Sequence, residues 1–282
     1  MNVTIQKKEK LNKKTITIYI IALIICIVSI IVVVGVQVLG DDVINNIFGI
    51  NKLVKRNEQE EAKLKVNFEN IFDNTFKSDK NYQIKKIKDN EEIIYTNYCK
   101  NEKGDKYEIN VNIPYINIEN TSIQDFNSEI SNTFEKKSNE ILNSNYKNII
   151  YTVKYKADID NNILSLIIYS ELKQDLSAQR TIVQTFNFDL QDNKKISLEE
   201  VLKKYKLNKY EVQNKIYEDI KTEQKKSEEL INLGYNVFSR DIDSDIYKIE
   251  NINEYLIYEN NIYIIFAYGN GKITSEMDLV II

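Results

Sequence analysis

One apolar run near the start of the chain limits its architecture more than any other feature. From Ile16 to Val36 only Thr17, Tyr19 and Ser29 interrupt it, and no charge occurs between Thr15 and Gly40. At about 1.5 Å per residue, roughly 20 residues cross a ~30 Å hydrocarbon core. A helix satisfies its own backbone N–H and C=O groups there, as lipid demands. Residues 15–39 therefore read as a transmembrane helix. Lys7, Lys8, Lys10, Lys13 and Lys14, set against Glu9 alone, precede it. They predict a basic cytoplasmic tail over 1–14 and an extracellular remainder, by the positive-inside rule. A cleaved signal peptide has an apolar core of only ~7–15 residues and a small-residue cleavage pattern. This run is longer and closes on Val34-Gly-Val-Gln-Val-Leu-Gly40, so an uncleaved, single-pass anchor in the cell membrane is expected.

Charge divides along the same line. The tail carries a net of +4 and the whole chain −4, so residues 41–282 carry −8. An acidic outer part has no clustered Lys and Arg for a phosphate backbone, which argues against nucleic acid. It suits a basic partner. With 43% hydrophobic and 28% charged residues the chain is composed like a folded domain rather than a disordered one.

Beyond the anchor, Val43, Ile44, Ile47, Phe48, Ile50, Leu53 and Val54 recur at helical spacing, and Lys55–Lys65 is strongly charged. Residues 40–78 are thus predicted to be a juxtamembrane stalk helix. A small α+β module is expected over 79–145. Its clearest strand alternates Tyr107, Ile109, Val111, Ile113 and Tyr115 with Glu108, Asn110 and Asn112. Pro114 lies near that strand's end, where a missing N–H is tolerable. Thr121-x-x-Gln124 reads as a capping box for a helix whose stripe is Ile123, Phe126, Ile130, Phe134 and Ile141.

A larger α+β module is expected over 146–282. Tyr151, Val153, Tyr155, Ala157 and Ile159 form one strand face, Asp160-Asn161-Asn162 a tight turn, and Leu164, Leu166 and Ile168 the return strand. Ile182, Gln184, Phe186, Phe188 and Leu190 make a third strand, and Ser197-x-x-Glu200 opens a helix. A charged helix over about 208–233 and a β-meander follow: 255–258, 262–268 and 277–282, with turns at Asn260-Asn261 and Gly269-Asn270-Gly271. The fold class is α+β, antiparallel sheets with packed helices, preceded by one transmembrane helix.

The chemistry on offer is sparse. There is no histidine, which removes the common Ser-His-Asp and Cys-His arrangements. Cys99 is the one cysteine beyond the apolar run, where a half-buried strand position is expected, so a zinc site has only carboxylates to draw on. Asp241-Ile-Asp243-Ser-Asp245 opens like a calcium loop. Ile246 stands where the turn glycine belongs and Ile252 where the bidentate Glu belongs, so a solvated acidic turn is the expectation. Ser144-x-x-Lys147 has no S-D-N or K-T-G companion. Gly269-x-Gly271 precedes no helix pattern and is no phosphate cradle. The chain therefore reads as a non-enzyme without cofactor or metal. Its candidate binding residues are loop residues: Asp175, Gln179 and Arg180, with Tyr268 and Asn270.

Ile113-Pro114-Tyr115-Ile116, followed by a helix with Phe126-Asn127, resembles the smaller N-terminal module of a family of extracytoplasmic domains. Leu164-Ser165-Leu166, Thr185-Phe186-Asn187-Phe188-Asp189-Leu190 and Lys195-Ile-Ser-Leu-Glu-Glu-Val-Leu202 are similar to its larger C-terminal module. Such modules occur in the sensor region of RsiV-type anti-sigma factors, which bind lysozyme, and ahead of the catalytic domain in PdaC-type peptidoglycan deacetylases. The resemblance covers residues 80–282. It implies a non-catalytic binding or sensor module at the cell envelope, with lysozyme or peptidoglycan as ligand. A transmembrane regulator of anti-sigma type is the alternative it implies. A fourteen-residue basic tail is too short to fold around a sigma factor, and no deacetylase pattern follows the last strand, so the module alone is expected.

Overall fold

The computed structural model describes residues 56–76, 82, 84–144 and 147–282. The tail, the apolar run and the first part of the stalk lie outside these residues. Among the described residues no helix is long and apolar enough to cross a membrane.

The mixed α+β architecture is built from nine strands among the described residues. A six-stranded sheet has the order β1 (Ile94–Lys103), β2 (Tyr107–Ile116), β3 (Ile149–Asp160), β4 (Ile163–Gln174), β5 (Arg180–Asp189), β6 (Lys194–Lys195). A three-stranded meander has β7 (Tyr255–Tyr258), β8 (Asn261–Ala267) and β9 (Met277–Ile281). Every pairing is antiparallel except β2 with β3, where Tyr107–Val111 run alongside Ile149–Val153. Parallel neighbours need a crossover, and helices supply it: α2 (Thr121–Ile130), a π-helical turn (Ser131–Glu135) and α3 (Lys136–Leu142). One sheet thus runs through both segments that the sequence divides at 145/146.

The apolar stripe explains the π turn. Phe126, Ile130, Phe134 and Ser138 follow one another at intervals of four, which outruns the 3.6-residue period of an α-helix. A turn with i→i+5 bonds slows the rotation and keeps Phe134 and Ile141 on the sheet side with Ile123, all buried. The cap differs from the expected box. Asn120 is the N-cap, its side chain accepting from the Ile123 N–H. Gln124 instead donates to the Ile118 carbonyl and accepts from the Tyr115 hydroxyl. Ser197 and Glu200 form the expected capping box at α4 (Leu198–Lys204). A further helix, α5 (Lys209–Asn232), starts on Asn208 and ends at Gly234, whose φ of +89° places it in the left-handed region. The Gly234 and Tyr235 N–H groups then bond the carbonyls of Ile231 and Leu230, a Schellman ending.

Packing proceeds in layers. The stripe of α2–α3 covers Ile109, Val111, Val153, Tyr155, Leu164, Leu166 and Ile168. The opposite face of β4 and β5, through Ile167, Tyr169 and Val183, packs on Leu256, Tyr263, Ile265 and Ile281 of the meander. The meander's far face meets α4 and α5 through Val201, Val212, Ile216 and Ile220. Strand β4 is therefore buried on both sides from Ile163 to Ser170, as its near-continuous apolar run permits.

Three details differ from the sequence reading. Cys99 is exposed, not half-buried, because it lies with Asn97 and Asn101 on the wet side of edge strand β1. The β7–β8 turn is Glu259–Asn260, both at positive φ, while Asn261 opens β8. In β2 the burial alternation shifts after Ile113, leaving Tyr115 half-exposed and Ile116 fully buried, opposite a bulge between Thr96 and Tyr98.

The stalk region is more than a spacer. Helix α1 (Glu58–Asn67) buries no residue, but Phe68, Phe72 and Phe76 beyond it are buried, the first two against Tyr263 and Tyr169. Asn74 exchanges two hydrogen bonds with the Tyr155 backbone. Arg56 donates to Asn261 and to the Ile282 carbonyl. Glu61 takes hydrogen bonds from Lys215 and Lys65 that outweigh its burial and hold its carboxyl down at about 2.

Candidate functional site

The most built-up surface lies where the chain leaving α5 meets the connection between β8 and β9. Residues 235–244 have no regular structure, so side chains must pin them. Arg240 does so with a bidentate pair to Asp278 on β9, at 2.7 and 2.8 Å, and a contact to Glu276 at 3.2 Å. Its guanidinium also donates to the Phe238 carbonyl, and the Phe238 N–H donates to Glu276. Burial works against the Arg240 charge, but the hydrogen bonds and charge of Asp278 outweigh it and raise its pKa further. This anchoring lays the Phe238 ring flat on Tyr268, with centroids 3.9 Å apart. The Tyr268 hydroxyl donates to Asp278 at 2.6 Å and meets the Tyr247 hydroxyl at 2.9 Å. Burial first, then the Asp278 charge, push its pKa far up, so Tyr268 stays a neutral donor.

Two clefts open on either side of Phe238. One, of about 360 Å³, is mostly apolar, with Ile246, Ile252, Ile265, Phe266, Ala267 and Tyr268 in its lining. The other, of about 550 Å³, is rich in hydrogen-bonding groups: Gln179, Asn236, Ser239, Thr274, Ser275 and Glu276. Phe238 and Lys272 line both, and the Lys272 ammonium stands 5.1 Å from the Phe238 ring centroid, within cation–π range. Glu254 lines the apolar cleft. Burial lifts its carboxyl to about 7, against hydrogen bonds from Thr185 that pull the other way.

The structure brings four of the five sequence candidates to this region. Tyr268 forms the floor. Gln179 lines the polar cleft and donates to Glu171. Asn270 lines the apolar cleft, but its amide is paired with both backbone groups of Val183. Arg180 donates to the carbonyls of Gly269 and Asn270. These bonds draw the 268–276 connection onto β5 so closely that a Cβ on Gly269 would stand 1.8 Å from the Thr181 carbonyl oxygen. Asp175 lies apart, at positive φ in the β4–β5 turn, accepting from Asn148. No sequence pattern points to Phe238, Arg240, Glu254 or Lys272. Phe238 and Arg240 sit in an irregular stretch without periodicity, and Glu254 and Lys272 are unremarkable until the sheets are packed.

The site's acids are tied to Arg240 or to backbone donors, its tyrosines are held protonated, and the chain has no imidazole. Among the described residues no three His, Cys, Asp or Glu side chains group so as to hold a metal. Asp241–Asp245 forms a turn in which the Asp243 N–H donates to the Asp241 side chain.

No family model matches the chain, and no curated protein does. Solved structures do. A DUF3298 family protein from Pseudomonas aeruginosa PAO1 is similar over 63% of this chain and 82% of its own, at 10% identity and a TM-score of 0.38. A member of the same family from Bacteroides fragilis NCTC 9343 is similar over 62% of this chain and 80% of its own, at 10% identity and a TM-score of 0.34. Both of these solved structures are described as DUF3298 family proteins.

Proposed function

We propose that the chain is a membrane-anchored, extracytoplasmic, non-catalytic binding module of the cell envelope, related to the RsiV- and PdaC-type modules, and that its ligand is a peptidoglycan-type glycan held at the Phe238 clefts. The apolar run over 15–39 supports the anchor. The observation that carries the ligand class is the pairing of an aromatic ring with a polar cleft. A sugar presents a C–H face, which suits the apolar lining around the Phe238 ring edge, and an edge of hydroxyl and amide groups, which suits Gln179, Asn236, Ser239 and Thr274. Co-sedimentation of the full-length chain in mild detergent with purified sacculi tests this. Retention by wild type and loss on Phe238→Ala supports the reading; equal retention of both, or of neither, counts against it.

The −8 balance of residues 41–282 favours a second reading, in which the partner is a basic envelope protein such as lysozyme. Capture on immobilised lysozyme that weakens steeply with salt supports it, and no capture at low salt dismisses it.

A further inference from the structure

Three cations stand around the clefts, and the two guanidinium groups are turned to acceptors of the protein itself. Arg240 is bound to Asp278 and Glu276, and Arg180 to the carbonyls of Gly269 and Asn270. Lys272 makes no ion pair among the described residues, and it is the cation that lines both clefts. A ligand spanning the two would pass this ammonium with an apolar group on one side and hydrogen-bonding groups on the other. A group of opposite charge is what that position recognises. The nearby acids set how much negative charge it accepts. Glu276 lines the polar cleft, Glu254 the apolar one, and Asp278 lies beneath Tyr268. One lysine among these carboxylates balances a monoanion and leaves a phosphate dianion repelled.

We infer that the paired clefts recognise a sugar bearing a carboxylate, the anion on Lys272, its small apolar substituent against Ile252 and Phe266, and its hydroxyl and amide edge against Gln179 and Ser239. This rests on the glycan reading and narrows it: of the two sugars that alternate in peptidoglycan, the acid-bearing one is bound where its carboxylate is free of attached peptide, and the neutral one is not. The anion also explains how a module of acidic balance holds an acidic ligand, since the attraction is local and short-ranged.

The test is isothermal titration of the full-length chain with N-acetylmuramic acid, its methyl ester, and N-acetylglucosamine. The free acid is expected to bind about tenfold tighter than either neutral compound, the ratio a charge-assisted hydrogen bond supplies. Lys272→Met, at an exposed position, should bring the acid down to the level of the ester and leave the ester unchanged; Lys272→Arg should keep most of the preference. Equal affinity for acid and ester, or a preference that survives Lys272→Met, overturns the inference while leaving a neutral glycan site standing. Failure of all three sugars and of sacculi to bind wild type overturns the glycan reading and the inference together.

Discussion

Two buried polar clusters fasten the meander to the rest of the molecule, and they are built oppositely. At β7 the groups are neutral. Ser165 and Asn187 are hydrogen-bonded to each other, Ser165 accepts from the Ile257 N–H, and Asn187 donates to the Tyr255 carbonyl. Thr185 completes the row by accepting from the Tyr255 N–H and donating to the Asn253 carbonyl. These side chains replace the neighbouring strand that edge strand β7 lacks. At β9 the groups are charged: Arg240 against Asp278 and Glu276, with Tyr268 and Tyr247 behind them. The contrast separates architecture from site. A neutral network closes a backbone edge where water is excluded and no ligand arrives. A charged one fixes an irregular loop at a surface and holds the Phe238 ring in place.

The comparison can be broken most forcefully at β9. Asp278→Ala leaves the Arg240 guanidinium buried without its bidentate partner, and the expected loss is about 3–5 kcal/mol in chemical denaturation. The double change Arg240→Met with Asp278→Leu should recover most of it. A single variant within 1 kcal/mol of wild type would mean that the pair is solvated and fixes nothing. At β7, Asn187→Ala orphans the Tyr255 carbonyl and Ser165, at a cost of about 2–3 kcal/mol, with the Phe238 clefts unaltered in ligand binding. Impaired binding there would erase the distinction between the two clusters.

Glu254 sharpens the comparison through pH. Its carboxyl titrates near 7 in the folded protein against an ordinary value of 4.5. Between those values the unfolded chain has released the proton that the folded one keeps. Stability is therefore fullest below about 4.5 and falls as pH rises to about 7, by up to about 3 kcal/mol from this group. Glu254→Gln should flatten that slope and be the more stable protein at pH 8; an unchanged slope would place the titration elsewhere. The smallest effect is expected at the α1 clamp. Lys215→Ala removes one half-buried partner of Glu61 and Asp219 and should cost about 1 kcal/mol, an effect that shrinks with salt. The readout is faster proteolysis within residues 58–67.

Much of the fold is legible in the sequence because alternation and helical stripes report directly on burial. Strands β3, β4 and β7–β9, the α2 stripe and the Ser197 cap follow from such patterns. Patterns do not say which strands meet. The parallel β2–β3 pairing joins segments far apart in the chain, and nothing local to Tyr107 or Ile149 encodes it. Likewise Phe68 and Phe72 follow a charged helix and look solvated until the two sheets leave a seam for them, and Phe76 until the helix-covered core of the large sheet takes it in. The motifs that carried the resemblance are instructive in another way. Asn127 bonds both backbone groups of Ile116, and Ser165 and Asn187 tie down β7. The polar residues within those motifs are therefore internal fastenings rather than ligand contacts. The candidate site was legible around its edge, through Gln179, Arg180 and Asn270, and at its floor, through Tyr268. Its centre, Phe238 and Lys272, lies in irregular stretches fastened largely by contacts distant in sequence, such as Arg240 to Asp278 and Arg180 to Gly269.

Ligand is expected to meet the protein at Phe238. Amide chemical-shift mapping of the full-length chain with solubilised peptidoglycan fragments tests it most directly. The account predicts that perturbations cluster in 236–240 and 268–276 and vanish in Phe238→Ala. Perturbations confined to the exposed Tyr210 and Tyr217 side of α5, with 236–240 silent, would contradict it.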